Sequence, residues 1–232
     1  RFYQSTAESK VSPQLITGSY IGWLMEIIGH MVARYKAWEL EGFTDEEAID
    51  AVYHYSHLYE EPVTDYTASL IAEMCINDPF YIASIFRSLY QDKDLTDPDS
   101  VIATFDYETS LQRGKEGYIA KIWLEYIWDA LDRVNDQNAK KIVLYLAKHG
   151  EEEITRDQIL EDLGLDMTDS QLEKRLIKLV KADIIARGST NFKYSGLGDK
   201  VFEIVFRKIY EEEIEKVGNE QIREDIHQQM VT

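Results

Sequence analysis

The sequence contains a single cysteine and no apolar run long enough to cross a membrane as a helix. The lone Cys75 excludes an internal disulfide, and so low a cysteine content is typical of a reducing compartment. Cys75 lies among Ile71, Ala72 and Ile76, so we expect a small core residue rather than a nucleophile. We also expect no secretory leader. These absences predict a cytoplasmic protein without a membrane partner.

The phosphate-binding pattern G-x-x-x-x-G-K-[ST] is also missing. Without that loop we expect no ATPase activity from this chain alone, and we interpret residues 114–117 as a turn. His54 and His57 are three positions apart on a predicted helix, a spacing that can present two ligands to one metal. No second pair of ligands accompanies them, and no nucleophile–base set has a local signature. We therefore predict no catalytic site, no metal and no cofactor in this chain.

Basic residues are fewer than acidic residues, and the acidic excess is distributed unevenly along the chain. The formal net charge is −18. Residues 1–137 hold 10 Lys and Arg against 24 Asp and Glu, a balance of −14, whereas residues 138–232 hold 15 against 19, a balance of −4. This distribution disfavours strong non-specific binding to nucleic acid. It leaves open an acidic helical scaffold that binds basic partners through helices predicted over 44–60 and 98–132.

Helix signals dominate the first part of the chain. Asp78 and Asp97 each stand directly before a proline that would occupy the first position of a helix. Apolar residues then recur three and four positions apart over several turns. An exception is the segment 13–19, which we interpret as a short buried strand that ends in a turn. The greater part of this region is therefore predicted to be a helical bundle.

The last third of the chain shows a different order of elements. Thr155 and Thr168 each begin a T-x-x-Q capping box, and Gly164 between them suits the left-handed position after a short helix. Two apolar runs that flank residues 188–190 predict a β-hairpin, and a helix with an apolar stripe follows. This order predicts a winged helix-turn-helix. The predicted fold class is mainly α: a helical bundle followed by a winged helix-turn-helix with a small β-hairpin wing.

These signals divide the chain into four predicted parts. They are a strand and turn (1–22), a helical domain (23–137), a winged-helix domain (138–217) and a polar tail that frays (218–232).

The helix that follows Thr168 carries the sharpest functional signal. Its apolar stripe uses Leu172, Leu176 and Leu179, which leaves basic residues on another face. In a DNA-binding winged helix such residues meet phosphates while the helix N-terminus approaches base edges. The candidate contacts to double-stranded DNA are Ser170, Gln171, Lys174, Arg175, Lys178, Lys181, Arg187 and Lys193. An ordinary solvated helix face is the alternative interpretation.

Four stretches of the chain resemble the C-terminal part of prokaryotic STAND-type P-loop ATPases of the AAA+ superfamily. Residues 15–20 are similar to a late core strand that ends in a polar sensor, and residues 77–82 resemble the lid motif G-x-P, with Asn77 where Gly is usual. Residues 138–146 resemble the first winged-helix helix, and residues 192–202 the segment from the wing to the final helix. The resemblance covers nearly the whole chain.

The resemblance implies a regulatory role, with residues 1–22 as a remnant of a P-loop core strand and turn and residues 23–137 as a lid-like domain. Thr17 or Ser19 would sense the γ-phosphate and Pro79 would lie beside the adenine, with ATP or ADP and Mg²⁺ held by a P-loop core upstream in the same protein. Because residue 1 is Arg, we expect a piece of something longer, whose parent is an ATPase and can form a homo-oligomer. Three hypotheses stand: a nucleotide-dependent relay, a DNA-binding module and an acidic scaffold.

Overall fold

The computed structural model describes residues 42–112, 115–134 and 137–231. The strand predicted at 13–19, with the proposed sensors Thr17 and Ser19, lies outside the described residues.

The first half is a set of helices whose starts are fixed by side-chain caps. Thr44 forms a capping box with Glu47, and Thr64 forms a second box with Thr67. Asp78 caps the helix that begins at Pro79, as predicted. The helices are α1 (Asp45–Tyr59), α2 (Asp65–Met74), α3 (Pro79–Arg87), α4 (Pro98–Glu108) and α5 (Tyr118–Val134).

A short hairpin joins α4 to α5. Its strands β1 (Leu111–Gln112) and β2 (Lys115–Glu116) pair antiparallel, with Leu111 opposite Glu116. The sequence predicted only a turn at 114–117, because strands of two residues are too short to show an alternating pattern.

The second half alternates helices with a small sheet. Its elements are α6 (Gln137–Lys148), β3 (Ile154–Thr155), α7 (Arg156–Asp162), α8 (Asp169–Lys181), β4 (Ala186–Arg187), β5 (Lys193–Ser195), α9 (Lys200–Glu215) and α10 (Asn219–Val231). The three-stranded sheet is antiparallel in the order β3-β5-β4. The predicted hairpin is present as β4 and β5, and the capping boxes at Thr155 and Thr168 are confirmed.

Helix α9 links two hydrophobic cores. Val201 and Val205 are buried with α1 to α4, whereas Phe202 and Phe206 are buried with α6, α8 and the sheet. Consecutive residues such as Val201 and Phe202 point to different sides of a helix, so α9 is covered on both sides. The two halves of the chain are therefore packed on one shared helix.

The expectation of a fraying polar tail is wrong for most of its length. Residues 219–231 form α10, and Ile222 and Ile226 are buried against the first core. The two isoleucines are four positions apart and share one face of the helix. One narrow apolar stripe within a polar segment was enough to dock this helix.

The protein is mainly helical with a small three-stranded antiparallel sheet. In the described part of the chain, none of the helices has the length and apolar character needed to cross a membrane.

Candidate functional site

Helix α8 is held by its apolar side and presents its basic side to solvent. Leu172, Leu176 and Leu179 are fully buried in the second core. Ser170, Lys174 and Lys178 are exposed and are spaced four apart, so they lie on one face. Within the described residues, no hydrogen bond or ion pair engages Lys174 or Lys178. This face can contact an anion without first breaking an internal pair.

The other predicted DNA contacts are more constrained. The side-chain oxygen of Gln171 accepts from the backbone N–H of Thr168 at 2.9 Å, so that side chain serves as a helix cap. Arg175 is half-buried, and its Nη1 donates to the carbonyl oxygen of Gln171 at 3.2 Å. Lys181 is also half-buried. The structure thus brings together Ser170, Lys174 and Lys178 but commits Gln171 and Arg175 to contacts within α8.

The hairpin holds its two basic residues differently. Arg187 is exposed on β4. Lys193 on β5 donates to Glu153 at 3.1 Å, and Glu153 also accepts from the Ser189 hydroxyl at 2.7 Å and from the Ser189 backbone N–H. The hydrogen bonds from Ser189 and Lys193 lower the pKa of Glu153 to about 2. Lys193 therefore forms an internal ion pair that fixes the hairpin to Glu153.

Arg156 is a charged residue at this surface that the sequence analysis missed. Its side chain is only 9% exposed, and its Nε and Nη1 lie 2.9 Å from Asp169 Oδ1 and 2.9 Å from Glu173 Oε1. These are close ion pairs between the first residue of α7 and the first turns of α8. The ring of Phe192, which is 62% exposed, lies over the guanidinium with its centroid 4.9 Å away. Only the position of Arg156 after the Thr155 cap was visible in the sequence.

A second constellation lies where α9 begins. The Tyr81 hydroxyl donates to Asp199 Oδ2 at 2.7 Å and accepts from Trp123 Nε1 at 3.0 Å. Asp199 also accepts from the backbone N–H of Phe202 at 2.9 Å and so caps α9. Burial raises the pKa of Asp199, and burial together with the nearby Asp199 charge raises the pKa of Tyr81. This chain of hydrogen bonds links α3 and α5 to the first turn of α9.

A buried ion-pair network fixes the other side of α9. Arg207 Nε donates to Glu211 Oε2 at 2.6 Å, and both side chains are 3% exposed. Lys148 on α6 donates to Glu211 at 2.7 Å, and Gln229 on α10 accepts from Arg207 Nη1 at 2.9 Å. Burial opposes ionisation of Glu211, but the hydrogen bonds from Arg207 and Lys148 outweigh it and lower its pKa. The Arg207–Glu211 pair on α9 thereby joins α6 through the carboxylate and α10 through the guanidinium.

Lys208 makes an equivalent contact to the first half. Its ammonium donates to Asp106 Oδ1 and to Thr109 Oγ1, each at 2.7 Å, at the C-terminal end of α4. Burial lowers the pKa of Lys208, while the charge of Asp106 acts in the opposite direction. A cation at a helix C-terminus is favoured by the helix dipole.

A cavity of about 760 Å³ lies at the junction of the two halves. Glu73 and Met74 of α2, His149 after α6, and Lys200 and Phe202 of α9 are among its lining residues. Pro79, predicted to lie beside adenine, is half-buried at the first position of α3 and does not line this cavity. His54 and His57 are exposed, and in the described part of the chain no group of three or more potential ligands could hold a metal.

No family model matches the chain, and no curated protein matches it.

Proposed function

We propose that this chain is the regulatory lid and winged-helix region of an AAA+/STAND-type ATPase. In this proposal the helices α1 to α5 form the lid, and α6 to α9 with the β3-β5-β4 sheet form the winged helix. The order of these elements and the antiparallel pairing of β5 with both β3 and β4 support the winged-helix assignment. The parent protein would be cytoplasmic and would hold ATP or ADP with Mg²⁺ in its P-loop core.

The observation that carries this proposal is the sharing of α9 between two cores. For the lid to signal to the winged helix, a movement of one must displace the other. Close-packed interiors deform little, so a helix packed into both cores transmits such a movement. Tyr81 and Asp199 tie α3 to the start of α9, and Lys208 ties α9 back to α4. A rotation of the lid would therefore move α9 and the sheet together. Thr17, Ser19 and Pro79 would report the nucleotide state to this unit.

The test is hydrogen–deuterium exchange on a protein in which these residues follow a P-loop core. We expect amides in α8 and α9 to exchange at different rates with ATP and with ADP. Tyr81→Phe should reduce the difference between the ATP and ADP exchange rates in α8, while the difference in α2 and α3 persists. The matched control is Tyr66→Phe, which alters an exposed tyrosine on α2. Equal exchange in α8 and α9 with both nucleotides would overturn the proposal.

A second candidate function is binding of double-stranded DNA by α8. It is favoured by the exposed Lys174 and Lys178, which no internal partner occupies within the described residues. Ion pairing with Arg156 also partly offsets Asp169 and Glu173, the two acids in the first turns of α8. The net charge of −18 opposes non-specific binding, so any contact with phosphates depends on this local surface.

This candidate is tested by duplex binding at about 50 and 200 mM salt. Binding that weakens steeply with salt is expected, and Lys174→Glu with Lys178→Glu should reduce the logarithmic salt slope by about 2. The control pair Lys141→Glu with Lys200→Glu changes the net charge equally but lies on α6 and α9. No binding at the lower salt, or equal losses in both pairs, would exclude this function.

A further inference from the structure

The first turns of α8 combine charges of opposite sign on neighbouring positions. Asp169 and Glu173 contribute two negative charges, and Lys174 and Lys178 contribute two positive charges. These four residues alone sum to zero, so the helix would offer a polyanion no net attraction. The sign of the net charge at this surface then depends on the other charged side chains close to it.

The buried Arg156 supplies the charge that determines the sign of the net charge at this surface. It touches both carboxylates at 2.9 Å, and its side chain is 9% exposed. The Phe192 ring lies over the guanidinium, with its centroid 4.9 Å away. Charges shielded from water are screened less by salt than exposed ones, so Arg156 can offset one of the two carboxylate charges over a range of ionic strength.

We infer that Arg156 is a positioning residue that makes the α8 surface accept the phosphates of a DNA duplex. It does so by offsetting one of the two negative charges of Asp169 and Glu173, so that the sum over these residues and Lys174 and Lys178 changes from zero to +1. The inference rests on the second proposed function. Arg156 itself does not reach the duplex, because its guanidinium is occupied by the two acids and covered by Phe192.

Two mechanisms for Arg156 can be separated by substituting Asp169 and Glu173 together with Arg156. If Arg156 acts through Asp169 and Glu173, its loss matters only while those carboxylates remain. If it contacted a phosphate, its loss would remove one released counterion whether or not the acids remain.

The experiment measures duplex dissociation constants for the full chain and three variants at about 50 and 200 mM salt. Arg156→Gln should weaken binding about tenfold at the lower salt, because two carboxylates become unpaired beside the lysines. The triple variant Arg156→Gln, Asp169→Asn and Glu173→Gln should return to within about threefold of the original affinity. Asp169→Asn with Glu173→Gln, which retains Arg156, should bind more tightly than the original chain.

Each outcome decides a separate claim. If the original chain does not bind at the lower salt, the DNA-binding function fails and this inference fails with it. If the original chain binds but the triple variant stays as weak as Arg156→Gln, the inference alone is overturned. If Arg156→Gln fails to fold, as judged by circular dichroism, the variant that retains Arg156 decides: unchanged or weaker binding overturns the inference.

Discussion

The hydroxyl of Tyr81 and the carboxylate of Asp199 are joined by a hydrogen bond of 2.7 Å across 118 positions of sequence. Asp199 uses one oxygen to cap α9 and the other to accept from Tyr81, which in turn accepts from Trp123. The cap of the shared helix is thus set by a residue of α3. A substitution that removes the Tyr81 hydroxyl therefore directly alters the cap of α9, the helix that both cores share.

Tyr81→Phe should lower the free energy of unfolding by about 1–2 kcal/mol, because a partly buried carboxylate loses a donor. Removal of the hydroxyl also leaves Trp123 Nε1 without its acceptor. Urea unfolding monitored by tryptophan fluorescence measures the change. The control Tyr66→Phe alters a tyrosine that is 67% exposed and should change stability by less than about 0.5 kcal/mol. Equal effects in the two variants would show that the Tyr81–Asp199 bond contributes nothing.

Local patterns predicted those parts of the structure that neighbouring residues determine. The capping boxes at Thr155 and Thr168 and the buried stripe of α8 are confirmed, because a cap and a helical period are complete within a few residues. The hairpin of β4 and β5 is confirmed for the same reason.

Contacts between distant elements left no local signature. Arg156 and its partners Asp169 and Glu173 lie on different helices, and only the fold shows that the acids are offset. The sequence predicts a fraying tail where α10 lies, because Ile222 and Ile226 are a sparse apolar signal until α9 provides a surface to cover. The assignment of the chain to an ATPase and of α8 to DNA binding stays a prediction.

Arg207→Met should be strongly destabilising, by about 3 kcal/mol. The substitution leaves Glu211 buried with one cationic partner, Lys148, and leaves Gln229 without its donor. Adding Glu211→Met should recover a large part of the loss, because an apolar pair of similar size needs no charge compensation. Thermal unfolding of the two variants measures both steps. A double variant less stable than Arg207→Met would contradict this account.

Glu153 should make stability depend on pH in the acid range. Its pKa is lowered to about 2 in the folded chain from an ordinary value of 4.5, so the folded state binds this proton less readily than the unfolded state. The stabilisation is therefore present above about pH 4.5 and is lost as pH falls toward about 2. Glu153→Gln should unfold at lower urea than the original chain at neutral pH, and the gap should close on acidification. A gap that Glu152→Gln reproduces would argue against this specific role.

Gly196 lies where β5 passes against α6, and no side chain fits there. A Cβ atom at this position would lie 2.7 Å from the carbonyl oxygen of Leu146 and 2.9 Å from that of Gly150. Both neighbours are backbone atoms, so Gly196→Ala should push β5 away from α6 and cost about 1–3 kcal/mol. Gly218→Ala is the matched control, because a Cβ there meets nothing within 4 Å. It should be close to neutral, since the freedom lost by the unfolded chain offsets the weaker N-cap that Ala gives to α10. If Gly196→Ala unfolds at the same urea concentration as Gly218→Ala, β5 can shift without cost and the sheet is not fixed by this contact.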